Sequence, residues 1–108
     1  MPRFVLVISD RPIAVFDAPN WHRANALTRS SDLAATLRDT KSGGFALWDG
    51  ESQLNFRIAK SFEEARWQKQ HRANVAKFGD DDQGLFLWLV PLDYGHAWFY
   101  MKDDWGLW

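Results

Sequence analysis

Leu54-Asn55-Phe56-Arg57-Ile58-Ala59-Lys60-Ser61-Phe62-Glu63-Glu64 contains the change of period that decides the fold. Up to Ala59 the side chains alternate. Leu54, Phe56 and Ile58 share one face and Asn55, Arg57 and Ala59 the other, as in a half-buried strand. From Ser61 the spacing turns helical. Ser61 and Glu64 stand three apart, as in a capping box, and the helix they open runs to about Phe78, where Gly79 stops it.

Working towards the N-terminus, Phe45–Trp48 reads as a strand, and Asp49-Gly50 is a hairpin signal joining it to Leu54–Ala59. Lys41-Ser42-Gly43-Gly44 supplies the glycines that close a preceding helical region. That region runs from about Asn20 to Arg38. Trp21, Ala24, Leu27 and Thr28 lie on one of its faces, and Ser30-Ser31-Asp32 is a point where it can break in two, the second piece carrying Leu33 and Leu37. Asp17 or Asn20 supplies its cap acceptor. Before it stand two strands, Phe4–Ile8 and Ile13–Phe16, joined by the turn Ser9-Asp10-Arg11-Pro12.

Towards the C-terminus, the acidic loop 79–84 leads to a strand at Leu85–Val90. A turn at Pro91–Gly95 is followed by a last strand at His96–Met101. The order is ββα-ββα-ββ. It predicts an α+β fold with a mainly antiparallel sheet of about six strands and two helical regions, in a single domain over residues 1–108. The ββα unit recurs weakly at a spacing of about 41 residues. The tetrapeptide His22-Arg23-Ala24-Asn25 returns as His71-Arg72-Ala73-Asn74 at a different offset, so one duplication does not explain both.

Composition narrows the function classes. The apolar fraction is 46% and the charged fraction 25%, which excludes a chain disordered throughout. The chain has no cysteine, so disulfides, thiolate metal sites and cysteine nucleophiles are excluded, and a cytoplasmic location is expected. No apolar run approaches the roughly 20 residues of a membrane helix, so no membrane partner is expected. The net charge of −1 argues against a nucleic-acid binder, although Lys60, Arg66, Lys69, Arg72 and Lys77 make the second helix locally basic.

Motifs for catalysis are missing. His22, His71 and His96 are spread over two helical regions and a strand, and neither His22 nor His71 has a carboxylate or imidazole at i±3 or i±4, so no metal and no cofactor is expected. No serine sits in a nucleophile elbow, and Gly43-Gly44 follows a helix where a phosphate loop would precede one. Asp17 reads as a helix cap rather than as half of a dyad with His22. Arg57 stands on the polar side of its strand. If that side is sheltered, it needs a carboxylate or an anionic ligand.

Seven tryptophans are the unusual feature. In the last strand Ala97, Phe99 and Met101 point one way, and His96, Trp98 and Tyr100 the other. The second set is aromatic with polar tips, a composition enriched at interfaces. Trp48 and Trp88 are expected to add to one side of the same sheet. Trp67 and His71 form an aromatic stripe on the second helix. Two helical regions either flank both sheet faces or leave one for a second chain, and Trp105-Gly106-Leu107-Trp108 adds further apolar surface in need of cover. The expectation is a non-catalytic binding or assembly module, a homodimer through its aromatic sheet face. Its binding or interface residues would be Trp48, Arg57, Trp67, His71, Trp88, His96, Trp98 and Tyr100. The alternative is a small ligand-binding protein or enzyme with a Trp-lined pocket, using Arg57 with His71 or His96 on a small-molecule partner.

Overall fold

Arg3–Ile8 forms β1 in the computed structural model of the chain, which describes residues 2–79 and 84–100. β2 (Arg11–Asp17) returns beside it after a two-residue turn. Ser9 and Asp10 have φ of 51° and 64°, the left-handed pair that a tight hairpin requires and that short polar side chains tolerate. The turn is shorter than the four residues expected. Leu6 faces Ala14 but Val7 faces Pro12, so Ile13 is an extra residue in a β-bulge, and the bulge accommodates the proline within the strand.

The first helical region is two helices, α1 (Trp21–Thr28) and α2 (Ser31–Asp39). The break falls at the serines because Ser30 caps α2: its hydroxyl accepts from the Asp32 and Leu33 N–H groups. Asn20 caps α1, its Oδ1 accepting from Arg23 N–H at 2.9 Å. Asp17 caps nothing. It ends β2 opposite Arg3.

β3 (Lys41–Ser42) and β4 (Phe45–Ala46) form a separate two-stranded hairpin. This corrects the expected pairing of Phe45–Trp48 with the strand after it. Gly43 and Gly44 take φ of 61° and 87° and make the turn upstream of Phe45. Their N–H groups donate to the two carboxylate oxygens of Asp93 at 2.8 and 2.7 Å, which pins the hairpin to the far end of the chain. Asp49 does not turn a hairpin. Its carboxylate accepts from Glu51 N–H, Ser52 N–H and the Ser52 hydroxyl, closing a local turn.

β5 (Leu54–Ile58), α3 (Ser61–Phe78), β6 (Leu85–Trp88) and β7 (Trp98–Tyr100) complete the described chain. The expected strand residue Met101 and the tail aromatics Trp105 and Trp108 lie outside the described residues. The main sheet is antiparallel with strand order β5-β1-β2-β6-β7, so the fold is α+β as the pattern predicts, with five strands in the main sheet and two in the small one. The second ββα unit therefore has no counterpart of the first hairpin.

Helices cover both faces. α1 and α2 pack on one, with Ala24, Leu27, Leu33 and Leu37 buried against Phe4, Leu6, Phe16 and Phe86. α3 packs on the other, where Trp67 is buried among Val5, Val15, Leu85 and Leu87. His22 and His71 thus sit on opposite sides of the sheet, and the repeated tetrapeptide brings nothing together. Across the α1–α2 face the rings run from strand to strand: Phe99 stacks on Phe86 at 5.0 Å, Phe86 on Phe16 at 4.7 Å, and Phe16 meets Phe4 at 6.0 Å, which meets Phe56 at 5.8 Å. This row follows the strand order and ends at β5, where Trp21 lies 5.0 Å from Phe4 and 5.2 Å from Phe56.

Candidate functional site

The start of α3 is tied to β5 by charge. Glu63 is 1% exposed and takes both Arg57 Nη atoms at 2.8 Å, a bidentate pair; it also accepts Lys60 N–H at 2.8 Å. The reciprocal half expected of Ser61 and Glu64 is absent, because the helix begins one residue earlier, with Lys60 at the cap and Glu63 as the carboxylate that reaches back. The guanidinium, and after it the backbone N–H, hold the Glu63 carboxyl below its ordinary value against the effect of burial. Arg57, read from the sequence as needing a carboxylate or an anionic ligand if its side of the strand is sheltered, has a carboxylate within its own fold.

A second polar group lies one turn along α3. Arg3 reaches Glu64 at 3.4 Å and lies 4.5 Å above the Trp67 ring, on which His71 stacks at 4.8 Å. The Trp67 indole N–H donates to Leu85 C=O at 3.1 Å. Asp17, cross-strand from Arg3, is pushed above the ordinary aspartate range by burial, against the pull of Arg3 and His71. An ionised Asp17 therefore opposes folding at neutral pH. The stability it supports is greatest below its unfolded pKa and is lost as pH rises through the folded one. Asp17→Asn is expected to melt above the parent at neutral pH, with the gap closing as pH falls below the aspartate range; parallel thermal melts check it.

The far end of α3 meets β7. Asn74 Nδ2 donates to the Tyr100 hydroxyl at 2.8 Å, Phe78 meets Trp98 edge-on at 6.0 Å, and exposed His96 stacks on Trp98 at 5.4 Å. So Arg57, Trp67, His71, His96, Trp98 and Tyr100 are brought to the α3 side, but as a line along the helix. Trp48 and Trp88 are on the opposite side: Trp88 stacks on Phe99, and Trp48 packs at the edge of that core with the Arg38 guanidinium 5.5 Å away. The aromatic face of the last strand, expected to await a partner, is half-buried by α3 itself.

Two cavities among the described residues lie elsewhere. One of about 400 Å³ opens between α1 and β5, lined by Asn25, Thr28, Arg29, Gln53, Leu54, Asn55 and Phe56. Another of about 360 Å³ lies between the start of β2, the first turns of α3 and Leu89–Pro91. Neither is lined by His71 or His96.

The outer edge of β5 is the surface that the sequence reading missed. β5 ends the strand order and pairs with β1 alone among the described residues. Ala59 N–H bonds to Arg3 C=O, so alternation turns the backbone of Arg57 and Asn55 inward and that of Leu54, Phe56 and Ile58 outward. Edge strands are ordinarily protected by proline, lysine or a bulge. β5 contains no proline or lysine, its five pairs with β1 run without a slip, and its one charge is turned into Glu63. Beside it, Ile58 is 50% and Trp21 54% exposed. The signal in the sequence was the alternation itself. What it lacked was the strand order that leaves this strand outermost.

Comparison of the chain with protein-family models, with curated proteins and with solved structures finds no match.

Proposed function

We propose that the protein is a non-catalytic binding and assembly module that works by adding a β-strand to the outer edge of β5. The observation that carries this is the unprotected edge with apolar Ile58 and Trp21 beside it. Strand addition draws affinity from main-chain hydrogen bonds and specificity from alternate side chains, and β5 offers both. The homodimer expected from the sequence moves with it, from the face of the last strand, where α3 packs, to this edge. The Trp-lined pocket has less support: Arg57, its anion binder, is committed to Glu63. A cytoplasmic setting belongs to the same proposal and is supported by the lack of cysteine.

Selection from a display library of random extended peptides tests the reading. The expected binders alternate apolar and polar residues and lose about tenfold or more in affinity for Ile58→Lys, which places a charge on the edge. They keep their affinity for Tyr94→Ser, a change at a residue 83% exposed and distant in sequence from β5. No enrichment, or peptides indifferent to Ile58→Lys, would overturn it.

A further inference from the structure

We propose that the strand added to β5 is the β5 of a second copy of this chain, paired antiparallel about a two-fold axis at Phe56; the proposal rests on the strand-addition reading above. Three features of β5 make it complementary to itself. The first is backbone phase. A two-fold axis at Phe56 sets Phe56 opposite Phe56 and Leu54 opposite Ile58 of the second copy. All three outward-facing residues then meet outward-facing residues, giving mutually bonded pairs throughout the strand. The Ile58 carbonyl, which accepts from Arg57 Nη1 at 3.1 Å, would exchange that side-chain donor for a backbone one.

The second is the match of faces. Leu54, Phe56 and Ile58 lie on the α1 side, where Trp21 packs on Phe4 and Phe56, and Phe4 is the cross-strand partner of Ile58. Pairing about Phe56 joins this half-exposed apolar strip to its own copy. The aromatic row that ends at β5 would then continue through the axis into the second sheet. On the α3 side, Asn55 stands opposite Arg57 of the second copy, a polar pair with no like charges.

The third is charge. A strand that pairs with itself brings its own charges together, and like charges directly opposite are destabilising. Arg57 is the only charged residue in β5, and Glu63 neutralises it from within its own copy. An axis shifted to Arg57 would set two guanidinium groups face to face. That excludes an axis at Arg57, and only the axis at Phe56 pairs the whole of Leu54–Ile58 with its copy. The contact is isologous, so it closes at two copies.

The test is the mass of the whole chain by light scattering over a wide concentration series, joined to a cross-linking experiment. The chain has no cysteine, so each introduced thiol is unique. A concentration-dependent dimer is expected, weakened about tenfold or more by Ile58→Lys. Thermal melts of that variant check that it still folds, as the half exposure of Ile58 predicts. Under mild oxidation, Leu54→Cys mixed with Ile58→Cys is expected to give a disulfide-linked pair, and neither alone to do so. A monomer at every concentration, or a dimer untouched by Ile58→Lys, overturns the proposal. So does self-linking of Ile58→Cys alone, which would place the axis elsewhere. If the chain is monomeric and yet peptides bind in a way that Ile58→Lys abolishes, the strand-adding edge stands and its occupant is another protein's extended segment. If both fail, the edge reading falls too.

Discussion

Trp67→Ala is expected to lower the unfolding free energy by about 3–5 kcal/mol, the range for removing a large buried aromatic. Trp67 is 2% exposed and centres the core between α3 and the sheet. Its loss leaves a cavity among Val5, Val15, Leu85 and Leu87, strips Leu85 C=O of its indole donor, and takes away the ring on which Arg3 and His71 rest. Domains of this size are stable by roughly 5–15 kcal/mol in total, so the variant should sit near its unfolding midpoint in little denaturant. Trp67→Phe keeps most of the volume and loses the N–H. It should cost markedly less, on the order of 1–2 kcal/mol. Urea titrations of both variants check the ordering. Equal losses would mean that the hydrogen bond to Leu85, not the packed volume, holds α3 in place.

Arg57→Ala is expected to cost about 3 kcal/mol, the low end for breaking a buried ion pair. The larger part comes from the partner left behind. Glu63 is almost wholly enclosed, while about a third of the Arg57 side chain reaches solvent (1% and 32% exposed). An enclosed carboxylate without its guanidinium must bind a proton or open the start of α3 to water. Because the folded state holds the Glu63 pKa below its unfolded value, the pair's contribution is complete above the ordinary glutamate range. It is lost as pH falls through the folded pKa. The deficit of Arg57→Ala should therefore be largest at neutral pH and shrink in acid. Arg57→Lys restores the charge but not the fork, and should recover part of the loss. Denaturant titrations at neutral and acid pH measure this directly. A deficit that did not change with pH would assign the effect to lost packing of the arginine stem.

These two residues also show what was legible in the sequence. The alternation of Leu54–Ala59 placed Arg57 on the polar side of its strand, where a carboxylate or an anionic ligand is needed only if that side is sheltered, and the sheltering by α3 is not written in the strand. The alternation did not say which carboxylate, because Glu63 and Glu64 both stand in the first turn of α3, and only the helix start at Lys60 decides that Glu63 turns inward. The break between α1 and α2 was legible because Ser30 acts locally, through hydrogen bonds two and three residues along. The β3–β4 hairpin was not, because its turn depends on Asp93, some fifty residues away. Strand order was hidden for the same reason. Phe4, Phe16, Phe86 and Phe99 are neighbours only once the long-range pairing exists, so the aromatic row and the edge where it ends have no local signature.

That edge is the centre of the account, and amide hydrogen exchange on the native chain, followed residue by residue as concentration rises, tests it most directly. Asn55 and Arg57, whose N–H groups point into the sheet, should exchange slowly throughout. Phe56 and Ile58 should exchange quickly in dilute solution and slow progressively as copies pair. Fast exchange at Phe56 and Ile58 at every concentration would contradict self-pairing through β5.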